Sequence, residues 1–329
     1  MKIKVSTTLR WPIERQIPQS WRQEGIEFVI NQSTAACDAW VVYQGLQRPE
    51  ATMVPPNRLY FFGYEPPGLH RYQAPFLEQF AAVITCQTVA HDRVISRHQA
   101  QPWLVGVTRS RTDNVHRGLG YRFGYEQLSA MSRPDKPHTL SAICSNKQLI
   151  PGHADRLDLV NALRGRLGED LELFGYGFRP LEDKWDAMQG YQYHLVLENS
   201  CVPHYWTEKL ADAYLAWCVP IVWGCPNLAD YFPTESFVSI DPQDLPRAVG
   251  QVIEAISNRP TASQIEAVSE ARRRVLEDYN VFAEIRRLID NTPAAEAKQV
   301  RLKDERLFML GGWLRPFTRA LTDRWRVRG

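Results

Sequence analysis

The sequence predicts an α/β protein built from two domains, each organised around a parallel sheet. The chain has 329 residues, about twice the length of a typical domain. Short apolar runs alternate with polar segments of helical or turn character along most of its length. One stretch, residues 191–241, reads as strand, loop, helix and strand, the unit from which parallel sheets are built.

Composition and charge exclude several classes of protein. Hydrophobic residues make up 44% of the chain and charged residues 23%, as in ordinary globular proteins. The formal net charge of +2 is too small to indicate a nucleic-acid partner. The six cysteines show no metal-ligand spacing, which favours free thiols in a reducing compartment. The sequence shows neither a signal-peptide pattern nor an apolar run of the ~20 residues that a membrane span needs, so we expect a cytoplasmic protein.

The first half of the chain carries five short β-rich runs that predict a parallel layer. They cover residues 3–5, 28–30, 40–43, 59–62 and 81–85. The fourth run leads into Glu65, followed by Pro66 and Pro67, which stiffen the loop. Partial burial of such a carboxylate at the rim of a cleft would raise its pKa towards that of a general base. A surface glutamate in a proline-rich turn is the alternative.

The second half begins with a predicted strand at residues 140–144, which is followed by Asn146. Arg156 then falls in the first turn of a predicted helix, where a basic residue opposes the helix dipole unless an anion is bound. This placement indicates a phosphate ligand. Between the two halves, residues 108–138 lack a sustained period and read as a linker with surface loops.

Polar and charged residues crowd the middle of residues 191–241. The first strand of this stretch ends at Glu198 and Asn199, and its helix opens at Thr207, Glu208 and Lys209. Open α/β sheets place ligands at the carboxyl ends of their strands, and a helix N-terminus favours an anion. The sequence therefore predicts a site for an anionic ligand at this point.

Two residues of the stretch have structural explanations that compete with ligand binding. Glu198 either contacts the ligand or satisfies the amide groups of its own loop. His194 lies on an apolar strand and is expected to be a hydrogen-bonded core histidine.

The same stretch resembles glycosyltransferase family 10, the inverting α1,3/4-fucosyltransferases that use GDP-fucose. The motif positions are LENS at 197–200, Tyr205, TEKL at 207–210 and VPIVWG at 219–224. Only Leu197 departs from the family pattern, where a Phe is usual. Weaker resemblance extends to the Glu-Pro-Pro element at 65–67, to the strand end at 144–147 and to Arg156.

The resemblance implies a GT-B fold, in which two Rossmann-like domains face a central cleft. We therefore expect an acceptor domain with the general base at 1–135 and a GDP-sugar donor domain at 136–292. A helical, basic and amphipathic tail is expected at 293–329.

The resemblance also implies roles for individual residues. Glu65 is expected to be the general base that deprotonates the acceptor hydroxyl from across the cleft. Glu208 is expected to face the sugar and stabilise positive charge at the anomeric carbon. Lys209 and Arg156 suit a diphosphate on physical grounds, as a cation at a helix start and a bidentate donor. The residues assigned to donor binding are Asn146, Arg156, Glu198, Asn199, Tyr205 and Lys209.

The expected partners are GDP-fucose and a glycan acceptor, an oligosaccharide or polysaccharide that receives fucose in α1,3 linkage. The chain lacks the Asp-x-Asp element of metal-dependent sugar transferases, so we expect neither a cofactor nor a required divalent metal. One alternative is the same fold acting on another GDP-activated sugar. Another is a non-catalytic nucleotide-sugar or glycan-binding protein. The presence of both Glu65 and Glu208 disfavours this alternative, because a protein that only binds does not need a base across the cleft.

The C-terminal residues 298–329 have a distinct composition, with basic residues in excess and Trp, Phe and Leu interleaved among them. This combination suits peripheral contact with an anionic membrane, here the inner face of the cell membrane. The alternative is a C-terminal helix that packs on the protein and keeps its basic face in water.

Overall fold

The structure, a computed structural model, describes residues 1–109, 119–144 and 151–308. The described residues form two α/β domains, each built on a parallel sheet. The predicted α/β class and GT-B architecture are confirmed. The predicted helical tail is not, because its first described part contains a strand.

The first domain contains a six-stranded sheet with strand order β2-β1-β3-β5-β6-β7, and all of its pairs are parallel. The elements of this part of the chain are β1 (Lys2–Thr7), α1 (Gln19–Gln23), β2 (Glu27–Ile30), β3 (Ala39–Tyr43), β4 (Glu50–Val54), β5 (Leu59–Gly63), α2 (Ala74–Leu77), β6 (Ala82–Thr85) and β7 (Val94–Ser96). All five predicted runs are strands of this sheet. The central strands β3 and β5 are buried along their whole length, which explains their unbroken apolar sequence.

The segment predicted as a linker with surface loops contains regular structure. It forms a short antiparallel pair, β8 (Val107–Arg109) with β9 (Leu119–Tyr121), and a helix, α3 (Tyr125–Ala130). Strands of three residues are too short to show a period in the sequence, which is why this part read as irregular.

The second domain is built on a five-stranded parallel sheet with strand order β11-β10-β12-β13-β14. Its elements are β10 (His138–Ile143), α4 (Pro151–Leu167), β11 (Leu171–Phe174), β12 (Tyr191–Leu197), α5 (Glu208–Leu215), β13 (Val219–Trp223), β14 (Val238–Ser239), α6 (Leu245–Ile256) and α7 (Ala262–Glu277). The predicted strand, loop, helix and strand of residues 191–241 are β12, α5 and β13. Strand β12 is buried throughout and adjoins β10 and β13, so its carboxyl end lies at the middle of the sheet edge.

The last long helix, α8 (Val281–Asp290), returns to the first domain. Its buried residues Phe282, Ile285 and Ile289 belong to the hydrophobic cluster that covers one face of the first sheet. The expected domain boundary at residue 292 assigned this helix to the second domain. The structure corrects that assignment, because helical periodicity identifies an apolar face but not the sheet that covers it.

The segment that follows α8 is also part of the first domain. Strand β15 (Lys298–Leu302) pairs antiparallel with β4, and Leu302 is buried in the cluster on the other face of the sheet. Residues 298–308 were predicted as the start of a helical tail, so this part of the prediction is wrong. A strand that pairs with a partner some 250 positions earlier leaves no local signal. The rest of the predicted tail, 309–329, lies outside the described residues.

The two segments that connect the domains meet at one point. The first follows β7, and the second joins α7 to α8. The Nε2 atom of His98 lies 2.6 Å from the Oε1 atom of Glu284, and the His98 ring contacts the ring of Tyr279 at 4.7 Å. The same imidazole stacks on Trp206 at 4.8 Å. His98 has no exposed surface, so this junction is closed to solvent.

Within the described residues, we find no helix with the length and apolar character required of a membrane span.

Candidate active site

The loop that carries Glu65 is fixed by hydrogen bonds between its main chain and neighbouring side chains. The Glu65 N–H donates to the Tyr72 hydroxyl oxygen at 3.3 Å, and its carbonyl accepts a hydrogen bond from Gln87 Nε2 at 2.6 Å. Gly63 ends strand β5, and a Cβ at this position would lie 2.5 Å from the Tyr72 ring. Glycine therefore allows Tyr72 to pack on the strand end, where it supports the loop from below.

The Glu65 carboxyl group has the acidity expected of a general base. Burial raises its pKa from the ordinary 4.5 to about 7, although the positive charges of His70 and Lys209 act in the opposite direction. The negative charge of Glu208 adds to the rise, and a hydrogen bond from Tyr64 reduces it. A base is most effective when its pKa lies near the working pH. The alternative of a surface glutamate does not fit this partly buried group.

Glu198 lies beneath the start of helix α5 and is completely buried. Its Oε1 atom accepts hydrogen bonds from the Thr207 N–H and hydroxyl, both at 2.8 Å, and its Oε2 atom accepts one from Lys209 Nζ at 3.1 Å. A Cβ on Gly224 would lie 2.7 Å from the Glu198 side chain, so β13 approaches it closely. The structure thus supports the structural explanation for Glu198 and does not place its carboxylate as a ligand of the donor.

Helix α5 begins with a carboxylate flanked by two ammonium groups. Glu208 Oε1 lies 3.3 Å from Lys184 Nζ and 3.8 Å from Lys209 Nζ. Burial acts to raise the pKa of Glu208, but these two lysines outweigh it and lower the pKa to about 2. The carboxylate therefore stays ionised over the whole physiological range, as a group that stabilises positive charge must.

Lys184 and Asp212 belong to this arrangement and were not predicted. Asp212 is fully buried, and its Oδ2 atom accepts a hydrogen bond from Lys184 Nζ at 3.0 Å. Its Oδ1 atom accepts from the N–H groups of Leu104 and Val105 at 2.8 and 3.0 Å. Asp212 could have been found, because it lies one helical turn after Glu208. Lys184 lies in a short irregular segment that gives no pattern.

Arg156 and Asn199 contact each other at the carboxyl end of β12. Arg156 Nη1 donates to Asn199 Oδ1 at 2.9 Å, and only 8% of the arginine is exposed. The buried Nε atom of Arg156 has no hydrogen-bond partner among the described residues. An unpaired buried guanidinium nitrogen is costly unless a ligand completes it. This arrangement fits the predicted phosphate contact, whereas Asn146, predicted alongside it, lies outside the described residues.

Titratable residues of the two domains lie close enough to shift one another's pKa values. Burial raises the pKa of the Tyr205 hydroxyl well above its usual value, and three carboxylates act in the same direction: Glu198, Glu65 and Glu208. Lys209 in turn lowers the pKa of Glu65. Glu65 of the first domain therefore lies within electrostatic reach of the start of α5, as the sequence predicts.

Three further observations limit where the chemistry occurs. Ser141 Oγ lies 2.7 Å from His194 Nδ1, and burial lowers the pKa of His194 to about 3, which confirms a neutral core histidine. A cavity of about 530 Å³ lies between β11 and the segment 179–191, away from every predicted site residue. Among the described residues, no three or more His, Cys, Asp or Glu side chains are grouped to hold a metal ion.

Comparison with known proteins gives consistent matches. The model of glycosyltransferase family 10 (fucosyltransferase), C-terminal part, matches residues 134–264. The alpha-(1,3)-fucosyltransferase FucT of Helicobacter pylori is 33% identical over 111 residues, covering 33% of this chain and 22% of that protein. The human 4-galactosyl-N-acetylglucosaminide 3-alpha-L-fucosyltransferase FUT6 is 34% identical over 87 residues, covering 23% of this chain and 24% of that protein. The matches thus span about a quarter of the length of these curated relatives.

Among solved structures, a crystal structure of an alpha1,3-fucosyltransferase with GDP-fucose aligns with 84% of this chain and 90% of that chain, at 17% identity and a TM-score of 0.42. The residues matched by the family model include the whole of α5 and the predicted donor site. Glu65 lies outside them.

Proposed function

We propose that this chain, whose residues 134–264 match the model of glycosyltransferase family 10, transfers fucose from GDP-fucose to a hydroxyl group of a glycan with inversion at the anomeric carbon. The observation that carries the proposal is a pair of neighbouring carboxyl groups whose pKa values are shifted in opposite directions. The pKa of Glu65 is raised to about 7, whereas that of Glu208 is lowered to about 2. Two carboxyl groups whose pKa values are pushed apart serve different roles in acid–base chemistry.

The reaction follows from these two roles. The acceptor oxygen attacks the anomeric carbon of fucose while the Glu65 carboxylate takes the proton from that hydroxyl. The bond between the anomeric carbon and the β-phosphate oxygen breaks, and its electron pair leaves with GDP. Glu208 stabilises the positive charge that develops on the sugar ring in between.

The diphosphate is bound by the positive groups of the second domain. Lys209 lies in the first turn of α5, where the helix dipole adds to its charge, and Arg156 offers its unpaired Nε atom. Asn199 orients Arg156, and Tyr205 supplies a hydroxyl donor. We propose that these groups carry the charge of the leaving GDP without a required divalent metal.

A donor panel tests the proposed function. Purified protein is incubated with GDP-fucose, GDP-mannose, UDP-glucose and ADP-glucose, and release of the free nucleotide is measured together with thermal unfolding. We expect GDP release from GDP-fucose, stabilisation by both GDP-sugars and GDP, and no effect of the UDP- or ADP-sugar. Turnover that persists in EDTA supports the metal-independent scheme. Binding of GDP-fucose without any turnover, with a panel of fucose-accepting oligosaccharides present, favours a non-catalytic binding protein instead.

We propose further that the basic, aromatic residues 309–329 hold the enzyme at an anionic membrane surface on the cytoplasmic side. Residues 298–308 pack on the first domain through the pairing of β15 with β4 and through buried Leu302, so the proposal is confined to residues 309–329. A chain ending at Phe308 should lose binding to phosphatidylserine vesicles and unfold at the same temperature as the full chain. A chain ending at Asn291 should also unfold at a temperature lower by roughly 5 °C or more, since it loses β15. Equal vesicle binding by the full chain and the chain ending at Phe308 would contradict the proposal.

A further inference from the structure

The segment after β15 reaches back to the loop that carries Glu65. We call residues 298–308 the C-terminal strap. Glu305 in the strap accepts a hydrogen bond from the Gln73 N–H at 2.9 Å through Oε1, and its Oε2 atom lies 3.0 Å from His70 Nε2. Both contacted residues follow Glu65 in the same loop, so the strap fixes the position of this loop.

The strap is itself fixed on both sides of Glu305. Before it, the Lys303 N–H donates to Gln79 Oε1 at 2.7 Å, and Gln79 Nε2 donates to the Lys303 carbonyl at 3.1 Å. After it, Arg306 Nη2 donates to the Gln47 carbonyl at 3.1 Å. Glu305 is therefore placed by contacts independent of His70, which makes it a support for the imidazole.

His70 and Glu65 are tied together at short range. The Gln87 side-chain amide donates to the carbonyls of both residues, at 2.6 Å for Glu65 and 2.9 Å for His70. The His70 ring packs edge-to-face on Tyr72 at 4.7 Å, and the Tyr72 hydroxyl accepts the hydrogen bond from the Glu65 N–H. Gln87 and Tyr72 thus hold Glu65 and His70 in one fixed arrangement.

His70 is one of the charged groups that affect the pKa of the Glu65 carboxyl group. The charged groups that face the Glu65 carboxyl group are His70 from its own loop, and Lys209 and Glu208 from α5. Tyr64 also contacts it, through a hydrogen bond. Of the groups that lower the pKa of Glu65, His70 has the largest effect. Side chains of His70 and Glu305 are only 13% and 12% exposed, so solvent screens their interaction weakly.

We propose that Glu305 of the C-terminal strap positions His70, and that this pair tunes the general base Glu65. The inference rests on the proposed function. His70 and Glu305 are positioning residues, since neither is required to touch the reacting atoms. The chain thereby uses its C-terminal segment to set the pH range in which the base on its N-terminal domain is active.

The test is the pH profile of kcat/KM for GDP-fucose transfer in the His70→Gln and Glu305→Gln variants of the full chain. His70→Gln removes the neighbouring group with the largest lowering effect on the pKa of Glu65, so we expect the acidic midpoint to move upward by about 0.5–1 pH unit in this variant. Glu305→Gln, which keeps the shape of the side chain, should give a smaller shift in the same direction. The plateau at high pH and the binding of GDP should remain at the wild-type level.

Asp304→Asn is the matched control, because Asp304 lies next to Glu305 and pairs with Arg306 rather than with the base loop. It should leave the midpoint unchanged. If both test variants lose activity by the same factor at every pH, with an unshifted midpoint, the pair is merely structural and the inference is overturned. If the wild-type protein does not turn over GDP-fucose, the proposed function itself fails, and the two failures are thereby distinguished. Should His70→Gln fold poorly, the isosteric Glu305→Gln variant alone decides between these outcomes.

Discussion

Glu65→Gln is expected to lower the rate of fucose transfer by about 10³-fold, within the range attributed to general-base catalysis. An amide has no basic lone pair with which to accept the proton of the acceptor hydroxyl. The main-chain contacts of Glu65 with Tyr72 and Gln87 do not involve the carboxyl group, so the loop should keep its shape. Under the proposed function GDP binds to the other domain, so its dissociation constant should change by less than about twofold.

Three measurements check this prediction: transfer to an oligosaccharide acceptor, GDP affinity by calorimetry, and thermal unfolding at two pH values. The pKa of Glu65 in the folded protein is about 7, above the ordinary 4.5. Its carboxyl group therefore destabilises the fold progressively as the pH rises from about 4.5 to 7. Glu65→Gln should unfold at a higher temperature than the wild type at pH 8, with little difference at pH 4. Loss of GDP binding along with activity would show that Glu65 does not act as the base.

The pH profile of kcat/KM for the wild-type protein also reports the pKa of Glu65. Because Glu65 must be ionised to accept a proton, kcat/KM should fall as the pH drops through about 7. Glu208 remains ionised down to about pH 2, so it does not contribute to this acidic limb.

Lys209→Met is expected to weaken GDP binding by roughly 10- to 100-fold, the equivalent of one charge-assisted hydrogen bond of about 1.5–3 kcal/mol. Lys209 also lowers the pKa of both Glu65 and Glu208, so its removal should move the acidic limb of the profile upward. Calorimetry with GDP and the pH profile of the remaining activity measure the two effects.

Lys184→Met is the matched comparison, since Lys184 lies on the other side of Glu208 and pairs with Asp212. Lys184→Met removes the same charge but should affect catalysis more than GDP affinity, because Lys184 supports Glu208, the carboxylate proposed to stabilise charge on the sugar. If both variants weaken GDP binding equally, the effect comes from net charge, and the specific phosphate role of Lys209 is excluded.

The parts of the site that could be predicted are those attached to regular elements. Glu65 follows a strand whose unbroken apolar run marks it as central, and Glu208 and Lys209 open a helix with a Thr207 cap. Position at a strand end or a helix start determines the surroundings of a side chain. Local pattern therefore located these three residues, whereas the catalytic roles expected of Glu65 and Glu208 came from the resemblance to the family.

The parts that could not be predicted depend on contacts between distant segments. For Glu198 the sequence left two explanations open, and only its burial and its contacts with Thr207 and Lys209 favour a support for the helix start. Lys184 reaches Glu208 from an irregular segment, and α8 covers a sheet that precedes it by some 200 residues. Periodicity reports how an element is exposed, but it does not report which surface covers it.

The junction at His98 has a mechanical consequence. Because the two segments that connect the domains touch there, we expect any rotation of one domain against the other to take place about this point. Trp206 stacks on His98 and is separated from Glu208 by one residue. Points near a rotation axis move least, so we expect such a rotation to displace the outer loops more than the start of α5.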